Sequence, residues 1–117
     1  MVYKGRQYRQ NAAGNRVQYL IVRGNRLAAQ IEQLTQELAA AKQRARDFQA
    51  GRSLFQMSNN DRDFYRMLSH NVLNINIEID RIWNLIHDND EQLELAFNHF
   101  NLTVQNQDDD TESDEEN

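Results

Sequence analysis

From Leu68 to Phe100 the apolar residues recur at alternating steps of four and three: Leu68, Val72, Ile75, Ile79, Ile82, Ile86, Leu93, Ala96 and Phe100, with Asn89 alone breaking the series. Such spacing lays one apolar stripe along a helix and keeps it in phase over many turns. A single helix cannot cover its own stripe, so the pattern demands a partner helix. The segment Leu73-Asn74-Ile75-Asn76-Ile77-Glu78-Ile79-Asp80 also alternates strictly, as a half-buried strand would. Helix is the better reading, because the heptad passes through it in phase with both flanks and Asn is a poor strand former. On that reading Ile77 faces away from the stripe. Asp88-Asn89-Asp90-Glu91 could cap a new helix, yet the stripe resumes at Leu93 without a phase shift, which favours one continuous helix.

A second heptad lies upstream. Leu27, Ile31, Leu34, Leu38, Ala41, Ala45 and Phe48 hold the same spacing up to Gly51, a residue suited to the left-handed turn that ends a helix. Asn25 precedes this run as an N-cap candidate, and the interior is rich in strong helix formers. With Ile31 and Leu38 at a, Glu37 falls at g and Lys42 at e, where opposite charges would meet in a parallel pair. Small Ala41 and Ala45 equally permit close antiparallel approach, so orientation stays open. Between the helices, Leu54, Phe55 and Met57 are too apolar for a solvated loop and are expected to tuck against a helix end. Ser58, Asn59 and Asn60 offer caps for the second helix, with Asp61 and Asp63 in its first turn.

The expected architecture is therefore all-α: two amphipathic helices, about 25–50 and 60–103, forming an oligomeric coiled coil or helical bundle. Trp83 at e and Leu85 at g widen the stripe beyond a dimer's seam, and Ile at both a and d favours more than two strands. Asn89 at a d position reads either as a polar register device or as a solvated kink. At about 1.5 Å per residue the helices would span roughly 36 and 60 Å, so a hairpin would leave 93–100 overhanging. The expected interface is Leu27, Ile31, Leu34, Leu38, Ala41, Ala45 and Phe48 on the first helix. On the second it is Leu68, Val72, Ile75, Ile79, Ile82, Ile86, Leu93, Ala96 and Phe100.

The flanks differ sharply in charge. Residues 1–24 form a basic arm, and up to residue 26 the chain carries Lys4, Arg6, Arg9, Arg16, Arg23 and Arg26 with no acid. Gly5, Gly14 and the run from Asn11 to Asn15 suggest turns or a flexible segment there. Within it, residues 17–22 (Val-Gln-Tyr-Leu-Ile-Val) favour a short strand, since four apolar residues in a row suit a strand better than one helix face. Val17, Leu20 and Leu27 would also extend the heptad, but Gly24 would then occupy a core position at a cost of about 1 kcal/mol. From 105 to 117 no apolar residue occurs, and Asp108, Asp109, Asp110, Glu112, Asp114, Glu115 and Glu116 make a disordered acidic tail. The chain thus divides into the arm, a helical region 25–104 and the tail.

Chemistry is hard to place on this chain. Without cysteine there is no disulfide, thiolate zinc site or cysteine nucleophile. His70, His87 and His99 lack the spacing of a metal site in a bundle. His87, Glu91 and Glu94 share one face, as any two turns of a solvated helix allow. Ser69 and His70 point apart on a helix and make no nucleophile and base. No catalytic residue, metal or cofactor is assigned. No apolar run is long enough to span a bilayer and no secretory leader is evident, so the chain reads as intracellular, cytoplasmic or nuclear, and the Asn101-Leu102-Thr103 triplet as no glycosylation site. Thr111 and Ser113, each followed by acids, resemble acidophilic kinase substrates in form.

The function this composition fits is structural. A non-enzymatic scaffold would self-associate through its helices and join a larger assembly with other protein partners, a combination of parts found in small viral and virion-associated proteins. The alternative is an oligomer whose arm, with Lys4, Arg6, Arg9, Arg16, Arg23 and Arg26 and interleaved tyrosines, contacts the phosphates of nucleic acid.

Overall fold

A computed structural model of the chain describes the backbone of residues 2–53 and 55–116, and the side chains of 9–53 and 55–105. It contains two helices, α1 (Val2–Gln49) and α2 (Asn59–Glu116), and no strand among the described residues. The termini of the connection are those the local chemistry favours. Gly51, at φ 72°, supplies the left-handed conformation just past α1. Ser58 caps α2, its Oγ accepting from the Asp61 backbone N–H at 3.1 Å, with the Asp61 carboxylate in the first turn.

Several expectations are corrected. Residues 17–22 are helix, not strand: Val17 and Leu20 are buried while Tyr19 and Val22 are exposed, so the apolar run divides between the two sides of a helix. α1 begins at Val2 instead of after Asn25, which lies exposed inside the helix. The reason is that Ala13, Val17, Leu20, Gly24 and Leu27 continue the same four-three spacing upstream, and all but Gly24 are buried. The basic arm is thereby the first half of a long helix. Finally, the loop does not tuck in as a whole: Met57 is buried, but Phe55 is 93% exposed, and Leu54 lies outside the described residues. α2 runs past the expected end near 103, to Glu116. The expected disorder of 105–117 falls mainly on residues whose side chains lie outside those described.

The chain divides into two compact units, Leu27–Leu85 and a terminal unit of Met1–Arg26 with Ile86–Asn117. In the first, α1 and α2 form an antiparallel hairpin. The rings of Phe48 and Phe64 meet at 4.9 Å between centroids, and the Tyr65 hydroxyl lies 2.9 Å from Gln49 Oε1, to which it donates. Ala41 and Ile82 are buried at this seam, and Ile31, Leu34, Leu38, Ala45, Phe48, Leu68, Val72, Ile75 and Ile79 are half-buried. Ile77 faces solvent, as the helical phase requires.

In the terminal unit the order is also antiparallel: Gly14 lies against the Phe100 ring, Arg16 against Gln92 and Leu20 against Asn89. Ala13, Val17 and Leu20 form its core, with Ile86, Leu93, Ala96 and Phe100 half-buried. The expected overhang of 93–100 therefore does not arise. The upstream part of α1, helical after all, covers it.

Candidate functional site

The most constrained group of side chains surrounds Asn89. This residue breaks the apolar stripe of α2, and Gly24 breaks that of α1. The two breaks face each other. Asn89 is only 1% exposed, and its Nδ2 donates to the Leu20 carbonyl oxygen at 3.0 Å. Its Oδ1 accepts from Arg23 Nη1 at 3.1 Å. A guanidinium can only donate and a backbone carbonyl can only accept, so these partners fix which end of the amide points where.

Gly24 makes this contact possible. In an α-helix the carbonyl of residue 20 points toward residue 24, whose Cβ would ordinarily crowd any donor arriving from outside. A Cβ built at Gly24 would stand 3.0 Å from Asn89 Nδ2. Without it, the amide reaches the backbone of the opposite helix. Leu20, fully buried beside it, supplies the apolar surround in which an unpaired amide would be costly. Asn89 is thus buried and paired, not a solvated kink. It joins α1 to α2 in one alignment.

The charged flanks of the two units are used differently. At g positions of the terminal unit, Arg16 Nη2 donates to Gln92 Oε1 at 2.7 Å and Arg23 reaches Asn89. In the hairpin unit Glu37 and Lys42 are exposed, and Glu78 pairs along its own helix with Arg81, Arg81 Nε to Glu78 Oε2 at 3.0 Å. That hydrogen bond holds the Glu78 carboxyl below its usual range and raises Arg81. The outward side of α2 carries large apolar residues among its charged ones. Leu73 and Ile77, one turn apart, are 55% and 57% exposed, and Trp83, at the edge of the seam, is 45% exposed. Near the loop, Phe55, Arg62, Tyr65, Arg66, Ser69 and His70 line an open groove.

The residues expected at the interface lie together along the α1–α2 seams of the two units. The basic residues are dispersed in role. Arg16 and Arg23 hold α2, Arg9 and Arg26 are exposed, and the side chains of Lys4 and Arg6 lie outside the described residues, as do Thr111 and Ser113. His70, His87 and His99 are all exposed, and no cluster able to hold a metal ion occurs among the described residues. No described helix is long and apolar enough to cross a membrane. The Gly24–Asn89 contact had a signal in the sequence: each heptad has one defect, and antiparallel pairing brings the two to the same level. The groove beside Phe55 had none, because it depends on the loop's path. No protein family, curated protein or solved structure matches the chain.

Proposed function

We propose that the protein is a non-enzymatic structural or scaffold protein that self-associates through its helices and joins a larger assembly. One observation carries this reading. After α1 and α2 have paired, most seam residues remain only half-buried, and Leu27, Ala41 and Ile82 alone among those expected at the interface are buried. Two helices side by side cover each other's facing stripe and leave both flanks wet, whereas a third or fourth helix closes the seam. Each further square ångström of apolar surface covered contributes about 25 cal/mol. Light scattering at micromolar concentration tests the idea together with circular dichroism. The expected result is a mass at or above that of a dimer with high helicity, and a fully helical monomer refutes it.

A second reading rests on the continuity of α1. Arg9, Arg16 and Arg23 repeat every seven residues and so share one flank of the helix. Although Arg23 is taken up by Asn89 and Arg16 donates one Nη to Gln92, Arg9 and Arg16 are exposed there, where several copies in an oligomer would present them together to a phosphate backbone. Binding of a duplex or single strand that weakens steeply between low and physiological salt supports it. No measurable affinity even at low salt removes it.

A further inference from the structure

We infer that the outward side of α2 in the hairpin unit is the surface through which two copies of the chain associate, antiparallel and about a two-fold axis at Leu73. This rests on the self-association reading and names its face. The stripe residues of α2 already face α1, and their half-buried flanks are left for the further helices of a larger assembly. Leu73 and Ile77, by contrast, are large, apolar and more than half exposed on the other side of the helix.

The choice of occupant comes from charge. Arg66, Leu73 and Asp80 are spaced seven residues apart and fall in one row, basic at one end, apolar in the middle and acidic at the other. Turned end for end on itself, this row sets each Arg66 against the partner's Asp80 and Leu73 against its own copy. That is the self-complementarity a two-fold interface requires. A parallel pairing would set Arg66 on Arg66 and Asp80 on Asp80. Both charged side chains are exposed, and the contact of Arg66 to Asp63 within its own helix is a single exposed pair at 3.4 Å. The same alignment carries Ile77 of one copy to the level of Ser69 and His70 of the other, where the open groove beside Phe55 receives it. The exposed ring of Phe55 becomes one wall of that contact.

The chain has no cysteine, so one introduced at position 73 can pair only with its counterpart in a second copy. Leu73→Cys is expected to give a disulfide-linked dimer under mild oxidation, since only residues near a two-fold axis bring their Cα atoms within about 7 Å. Gln36→Cys, exposed on α1, is expected to give none. Independently, Arg66→Glu and Asp80→Arg are each expected to weaken association by about tenfold or more, and the double variant to restore it. Circular dichroism confirms the fold of each variant. A wild type that is oligomeric by light scattering, with no cross-link at 73 and no effect of either charge reversal, overturns this face and leaves self-association standing. A monomeric wild type overturns both.

Discussion

Replacing glycine by alanine inside a helix ordinarily stabilises it by about 1 kcal/mol, because alanine loses less backbone entropy on folding. Gly24 should do the opposite. Its added Cβ would lie 3.0 Å from Asn89 Nδ2, so the amide must retreat from the Leu20 carbonyl it now bonds at 3.0 Å. Displacing a buried amide from its acceptor costs about 1–3 kcal/mol, and set against the propensity gain this leaves Gly24→Ala destabilising by roughly 1 kcal/mol. In an Asn89→Ala background the obstacle is gone, and the same substitution should stabilise by about 1 kcal/mol. The coupling between the two sites is then about 2 kcal/mol, within the range for residues in direct contact. Gly14 provides the control: its added Cβ would meet Phe100 at 3.5 Å, an ordinary contact, so Gly14→Ala should stabilise by about 0.5–1 kcal/mol. Urea titrations followed at 222 nm give all five free energies at constant slope. If Gly24→Ala stabilises the wild type as much as it stabilises Asn89→Ala, the contact does not hold the amide and the reasoning fails.

Other substitutions test the seam and its ends. Ile82→Ala, at a buried position, should cost about 2–5 kcal/mol in the same titration, whereas Ile77→Asp, titrated at a concentration too low for copies to associate, should leave helicity and midpoint nearly unchanged. Ser58→Ala removes the cap of α2 and should cost about 1 kcal/mol, while Ser58→Asp should retain most of it. Glu78 has a folded pKa depressed by its hydrogen bond to Arg81. Its contribution to stability is therefore present above the ordinary glutamate value of the unfolded chain and is lost as pH falls through the lower folded one. Arg81→Ala should return the Glu78 carboxyl to the ordinary range in an NMR titration, and an unchanged value would discount the bond.

Much of the fold was legible in the residue spacing. The heptads from Leu27 to Phe48 and from Leu68 to Phe100 lie on the buried or half-buried side of their helices, and the alternating segment around Ile77 is helical, with Ile77 outside. What escaped was the first half of α1. Read along one strand of sequence, Gly24 is a defect with a cost, and it argued for an extended segment ending there. Asn89 is likewise a defect when read alone. Each is resolved by the other, a residue more than sixty positions away, and no local propensity contains that information. The same limit applies to Phe55, whose exposure is set by the path the chain takes after Gly51 and not by its own hydrophobicity. Helix orientation was open for a related reason: Glu37 and Lys42 favoured a parallel pair between copies, while the chain's own second helix offered an antiparallel one.

The short connection between α1 and α2 has a consequence for the order in which the chain finds its structure. The Gln49–Tyr65 contact closes a loop of 16 residues and the Leu20–Asn89 contact one of 69. By loop-closure entropy alone the second costs about 1.3 kcal/mol more than the first when each forms from the open chain. Folding should thus start beside Gly51 and zip toward the two ends, shortening the effective loop as it goes. A hairpin that began one heptad out of step would zip just as readily through the interchangeable apolar residues on the way. It would then arrive with the Asn89 amide facing Val17 or Ile31 in place of Gly24, with a branched side chain where the amide needs space. Placed late on the path, the Gly24–Asn89 contact is expected to act as a checkpoint, at which misaligned chains fail to close and reopen while correctly aligned ones are retained.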